Sequence, residues 1–165
     1  MNNRALTLID MLELSPHPEG GYYKEMYRSE TKVLSPCSRA TRNAVTDIYF
    51  LLMAGQVSRF HRVLHDEIWH FYEGDPLELV EIDPELTKIT KIVLAGRSDN
   101  PNYKHCVRGG NWQAAFIKEG AKGAYSLVGC TVAPGFDFAD FEFMEQNGAV
   151  QSTLLAKFPE LKYLL

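Results

Sequence analysis

The feature that most limits what this chain can fold into is its punctuation. Between Tyr22 and Phe143, short aromatic and aliphatic segments are separated by clusters of Gly, Pro, Asp, Asn and Ser. Tyr22 to Ser29 is aromatic-rich, and Val45 to Met53 is apolar on both faces, as a strand buried on both sides would be. Glu67 to Tyr72, Leu77 to Ile82, Ile89 to Leu94, Trp112 to Ile117, Tyr125 to Val132 and Phe138 to Phe143 bring the total to about eight or nine strands. Asp83-Pro84-Glu85 reads as the turn of a β-meander. Ser35 to Asn43 and Arg97 to Lys104 read as loops. Many short strands predict an all-β sandwich or barrel, and periodicity alone does not choose between them.

Helical spacing occurs only at the two ends. Ala5, Leu8, Ile9 and Leu12 form one apolar stripe after Asn2 and Asn3, which are expected to cap it. Ser15-Pro16 should stop that helix, because a residue before proline avoids the helical region. Leu154, Phe158 and Leu161 form a second stripe, interrupted by Pro159. No internal repeat or linker divides the chain, so residues 1–165 are read as one domain.

A formal net charge of −4 without runs of one sign argues against a nucleic-acid or anionic-membrane partner. No apolar run approaches the roughly 18–20 residues that span a bilayer, and MNNRALTLID lacks a signal-peptide pattern, so the expected location is cytoplasmic. Cys37, Cys106 and Cys130 are widely spaced and contain no CxxC or CxxH pair, so they read as incidental thiols.

The segment from Gly55 to Gly74 carries the chemistry. His61 and Val63 share a strand face, and after the turn through Leu64-His65-Asp66, Glu67, Trp69 and Phe71 share a face of the next strand. A histidine and a carboxylate offered from adjacent strands to one interior form a plausible acid–base pair. Ile68, His70 and Tyr72 point the other way, His65 reads as a turn residue and His70 as lying on an outer face. His17 and Glu19 fall in the turn His17-Pro18-Glu19-Gly20-Gly21, where a structural role is expected.

Gly55, His61, Glu67 and Gly74 fall at the spacing G-x5-H-x-H-x3-4-E-x6-G, and the segment resembles the first motif of the cupin superfamily. Val63 stands where the motif has its second histidine. The second motif, G-x5-P-x-G-x2-H-x3-N, is matched poorly. Gly110 fits, but Arg108, Gln113 and Ile117 replace the proline, histidine and asparagine. Three phrases, HPEGGYYKEMYRS, FHRVLHDEIWHFYEGDPLEL and YSLVGCTVAPGFDFADFEF, resemble the cupin-5 family in order across most of the chain. That resemblance implies a cupin double-stranded β-helix (an RmlC-like jelly roll) with short N- and C-terminal helices. It implies no activity. A more distant similarity links Gly21-Tyr22-Tyr23-Lys24-Glu25-Met26-Tyr27 to the R-G-F-F-x-E-x-F strand of metal-free dTDP-sugar epimerases, with Gly20 where their phosphate-gripping arginine stands.

The cupin metal positions become His61, Val63, Glu67 and Gln113, which leaves two strong ligands where catalytic zinc normally takes three. No metal and no cofactor are therefore expected. The resulting expectation is a homodimeric cupin that binds a small polar, carbohydrate-like ligand in its barrel and acts as a metal-independent epimerase or isomerase. His61 and Glu67 are the catalytic candidates, and Gln113, Trp69, Phe71 and Tyr23 are the ligand-binding candidates. A non-catalytic small-molecule binding module and a divalent-metal cupin enzyme stand beside it as alternatives.

Overall fold

The structure, a computed structural model, describes residues 3–96, 101–117 and 125–165. Helix α1 (Asn3–Met11) is followed by β1 (Ser15–Pro16), β2 (Tyr22–Arg28), β3 (Lys32–Leu34), β4 (Thr41–Asn43), β5 (Thr46–Met53) and β6 (Val57–Val63). Then come β7 (Asp66–Gly74), β8 (Leu77–Ile82), β9 (Ile89–Leu94), β10 (Lys104–Val107), β11 (Trp112–Ile117) and β12 (Tyr125–Ala133). A 3₁₀ turn (Phe138–Asp140) leads into β13 (Phe141–Phe143), and helix α2 (Ala149–Lys157) and a second 3₁₀ segment (Pro159–Leu164) end the chain.

The strands form two facing antiparallel sheets, with order β1-β2-β5-β12-β7-β10 in one and β13-β6-β11-β8-β9 in the other. The expected all-β sandwich with short terminal helices is thus the observed fold. Alternation makes each sheet two-faced. The inner faces bury Phe50, Leu52, Trp69, Leu77, Leu79 and Val128 between the sheets. On the outer face of the first sheet, Ala5 and Leu8 of α1 cover Leu51, Tyr125 and Leu127. On the outer face of the second, Leu154, Leu161 and Leu164 cover Phe60, Ile82, Trp112 and Ala114. The two terminal stripes form because a sheet apolar on both sides needs a lid on each. The caps expected at Asn2 and Asn3 fall outside the described residues. No helix among the described residues is long and apolar enough to cross a membrane.

Three local expectations differ from the structure. Phe138 to Phe143 is not one strand, because Asp137 accepts a hydrogen bond from Ala139 N at 2.9 Å and winds the chain into a 3₁₀ turn first. The segment read as a loop from Ser35 to Asn43 ends in β4, paired with β3 as a small ribbon. Lys104, read as the end of a loop whose residues 97–100 are not described, opens β10 on the edge beside β7.

The turn between His17 and Gly21 crosses one end of β6 in very close contact. Gly20 has φ +117°, and a Cβ there would lie 2.1 Å from the Val57 carbonyl oxygen. Gly55 also has a positive φ of +86°, but a Cβ there would meet nothing within 4 Å. Gly20→Ala is therefore expected to cost about 3 kcal/mol or more, since backbone strain and a clash with immobile backbone add. Gly55→Ala should cost only the conformational ~1–2 kcal/mol. Urea unfolding of both variants checks the difference, and equal losses would refute the close-contact account.

Candidate active site

The site begins with an irregularity in β6. Its pairing with β11 runs Arg62↔Trp112 and His61↔Gln113, then resumes at Ser58↔Ala115, so Arg59 and Phe60 have no partner on β11. This bulge reverses the alternation. Ser58 and His61 consequently both contribute to the inner side, while Phe60 packs outward under the C-terminal helix. It also leaves the Arg59 peptide groups free for other partners. The Arg59 N–H donates to the Glu19 carbonyl at 3.0 Å, and the Arg59 carbonyl accepts from His61 Nδ1 at 2.7 Å.

Those two bonds bring His61 and Glu19 together. Glu19 Oε2 lies 3.0 Å from His61 Nε2, both side chains are buried, and Ser58 Oγ donates to Glu19 Oε1 at 3.0 Å. Because Nδ1 carries the proton given to Arg59, Nε2 of the neutral ring is the nitrogen with the lone pair. A bare lone pair and a carboxylate oxygen at this separation repel, so one of the two atoms holds a proton. Burial raises Glu19 to about 7. Burial also holds His61 below the ordinary imidazole value. Both directions place the proton on Glu19 and leave His61 neutral. Phe141 stacks on the imidazole at 5.3 Å and 22° and fixes its plane.

Glu67 reaches the same space from β7. Its Oε2 accepts from Gln113 Nε2, whose Oε1 in turn accepts from Trp69 Nε1 at 2.9 Å. Burial raises Glu67 as well, opposed by the field of His61. His61 and Glu67 thus sense one another through space, but no hydrogen bond or ion pair joins them. The expected pairing is corrected on this point. The carboxyl in contact with His61 is Glu19, and the partner of Glu67 is Gln113.

These groups line one cavity of about 620 Å³ between the sheets. His61, Glu67 and Tyr23 are on its wall, together with His17, Glu19, Cys130 and the aromatic group Phe136, Phe138 and Phe141. Gln113, Trp69 and Phe71 do not line it. Gln113 is fully buried behind Glu67, and Trp69 and Phe71 belong to the apolar core. The reason is distance along the strand. Residues 67, 69 and 71 share a face of β7, but each step of two carries the chain about 7 Å further from the cavity. His65 lies on the expected turn. It is buried there, with Nε2 2.7 Å from Ser35 Oγ. His70 faces outward and meets Thr131 Oγ1 at 3.0 Å.

Glu19 is the cavity-lining partner of His61 that sequence reasoning missed. Its signal was a carboxylate placed directly before Gly20-Gly21, where the glycines allow the chain to press against a strand. The donors present do not fit a cupin metal centre. Val63 offers no donor atom, and the Gln113 oxygen is already bound by the Trp69 indole.

Residues 6–144 match the Cupin_5 family, described as "Cupin superfamily (DUF985)". The chain belongs to this family. This cupin is 30% identical over 151 residues to the uncharacterized protein YML079W of Saccharomyces cerevisiae, covering 84% of the chain and 74% of the yeast protein. A hypothetical protein from Leishmania major is similar in structure with a TM-score of 0.82 and 31% identity, over 97% of this chain and 96% of that one. Protein SO0799 from Shewanella oneidensis gives 0.78 and 37%, over 98% and 93%.

Two outcomes follow for this cupin. Purified without an affinity tag, it is expected to carry well under one equivalent of transition metal by elemental analysis. One tightly held metal per chain, lost in His61→Ala, would overturn the donor argument. The second concerns pH. A carboxyl whose folded value lies near 7, above its unfolded value of 4.5, stabilises fully below pH 4.5, and that contribution is lost as pH rises through 7. Glu19→Gln should remove this slope. The variant should gain roughly 3 kcal/mol relative to the parent between pH 4.5 and pH 8, read as the difference of two denaturant titrations. A difference independent of pH would show that Glu19 is ionised throughout.

Proposed function

We propose that this cupin is a metal-independent acid–base enzyme, an epimerase or isomerase that moves a proton on a small polar, carbohydrate-like molecule held between the sheets. The observation that supports this most is the juxtaposition, in one cavity wall, of an imidazole lone pair and a carboxylic acid titrating near neutrality. Groups whose environments push their ionisation toward the working pH are the ones suited to general acid–base work.

The chemistry is balanced within the chain. A bound carbonyl oxygen draws the Glu19 proton away from His61 Nε2. The freed lone pair takes the proton from the hydroxyl-bearing carbon beside that carbonyl, and the C–H electron pair becomes the carbon–carbon double bond of an enediol. The carbonyl oxygen takes the Glu19 proton. Return of a proton to the other face, with the enol proton going back to Glu19, gives the epimer. Return to the neighbouring carbon, with the proton of the other hydroxyl passing to Glu19, gives the isomer. Glu67, held by Gln113 and close to the same space, is a second acid available for the return step. Tyr23 and the three phenylalanines provide a wall against which a ring can lie.

The proposed assembly is a homodimer. Helix α1 covers only part of the outer face of the six-stranded sheet, leaving Ile68 and Tyr72 exposed there, and β2 exposes Met26 and Tyr27. An unpaired apolar edge or face of this kind is costly in water.

The direct test follows solvent deuterium into the carbon beside the carbonyl of free ketoses and aldoses by NMR. The protein should catalyse incorporation, and His61→Ala and Glu19→Gln should each lower the rate by about 10²–10⁴. A ligand that stabilises the protein but shows no exchange with any carbonyl compound would make this a binding module. Light scattering at micromolar concentration should give the mass of two chains, and a monomer would refute the assembly.

A further inference from the structure

The charges around the cavity select the class of molecule it accepts, an argument that rests on the cavity being the ligand site. Two cations line it, Lys24 and Arg28, and neither is available. Lys24 Nζ lies 2.5 Å from Glu13 Oε2. Arg28 grips both oxygens of Glu25 at 2.9 and 2.6 Å, and its other end donates to Asn43 Oδ1 at 3.2 Å and the Phe136 carbonyl at 3.1 Å. Glu13 and Glu25 themselves line the cavity. Asp137 adds a third lining carboxylate, within the field of Arg28. Burial holds the two lining histidines, His17 and His61, below the ordinary imidazole value.

Two cations and three mouth carboxylates leave the rim at −1 (+2 and −3), before any ionisation of Glu19 or Glu67 deeper in the cavity. A phosphate or carboxylate on the ligand would have to displace Glu25 from Arg28 and would sit in a field of its own sign. Such fields are focused, not weakened, in a cleft with low-dielectric walls. Gly20 contributes to the same end. An arginine there is excluded by the 2.1 Å approach to the Val57 carbonyl, so the turn cannot carry a cation into the cavity.

We infer that the ligand bears no phosphate or other anionic group: it is a neutral or aminated small polyhydroxyl or carbonyl compound, recognised through hydroxyl and ammonium donors to the carboxyls and through its apolar face against Phe136, Phe138 and Phe141. Nucleotide-linked and phosphorylated sugars are excluded by charge.

The field is measured directly with a cysteine at the rim. Phe138 lines the cavity and is 57% exposed, so F138C places a reactive thiol there without disturbing the core. The background is Cys37→Ser with Cys106→Ser. Rates with cationic methanethiosulfonate ethylammonium and anionic methanethiosulfonate ethylsulfonate are each divided by the rate with free cysteine. A cationic preference of roughly tenfold at low salt is expected, collapsing at 1 M salt. Glu25→Gln should shrink it by freeing Arg28. A ratio of one or less overturns the inference. A thermal-shift series on the unmodified protein with glucose, glucosamine and glucose 6-phosphate is the second arm. Greater stabilisation by the phosphate than by its parent sugar also overturns it, and a larger shift with either unphosphorylated sugar supports it. If none of the three shifts the transition, the thiol ratio decides. Neither arm uses the proton-transfer assay, so failure here leaves the acid–base reading intact, and failure of deuterium exchange leaves the charge selection intact.

Discussion

The backbone of Arg59, out of register with β11, organises the site. A backbone N–H and C=O withdrawn from a ladder must find partners, because burying them unpaired costs more than a hydrogen bond is worth. At Arg59 the β6 bulge withdraws both from β11. The amide goes to the Glu19 carbonyl and the carbonyl goes to His61 Nδ1. The backbone of a single residue therefore docks the turn that carries the acid and selects the tautomer of the base. Gly20 and Gly21 are the counterpart on the other side, because only residues without a Cβ come this close to β6 and β5.

The space between the sheets is divided along its length. Inward rows pass from polar to apolar as they leave the cavity, as in Glu67, Trp69 and Phe71 on β7, or Thr46, Ile48, Phe50 and Leu52 on β5. The apolar half supplies the stability that lets the polar half hold two buried carboxyls. Burial raises the pKa of each carboxyl, and an uncharged donor meets each one. Ser58 serves Glu19 and Gln113 serves Glu67.

What was legible in the sequence was what depends on short-range period. The strand pattern gave the all-β sandwich, the terminal stripes gave both helices, and the spacing from His61 to Glu67 placed those residues on one interior. What failed depends on distance and on irregularity. Glu19 lies 42 positions before His61, and nothing in a turn sequence says which strand the turn will press against. The bulge at Arg59 is invisible to a period of two, so the role of Ser58 was unreadable. Trp69 and Phe71 were assigned to the right face, but period alone does not measure how far along a face the cavity extends. His65 is legible as a turn residue, but its burial is not. A turn position is not an exposed one when a second loop, here through Ser35, packs over it.

The Trp69–Gln113–Glu67 chain also bears on what this protein can become. A metal centre of the usual cupin kind would need histidines at both 63 and 113. Replacing Gln113 alone removes the acceptor of a buried indole N–H and the donor to a buried carboxyl, at about 1–3 kcal/mol for each group stranded. Replacing Val63 alone puts an imidazole against Phe141 with no ion to hold. Neither single step is favourable, and only the pair together with a captured metal recovers the loss. The hydrogen-bond chain thus sets a threshold: with the amide already held by the indole, a metal centre here requires two simultaneous changes.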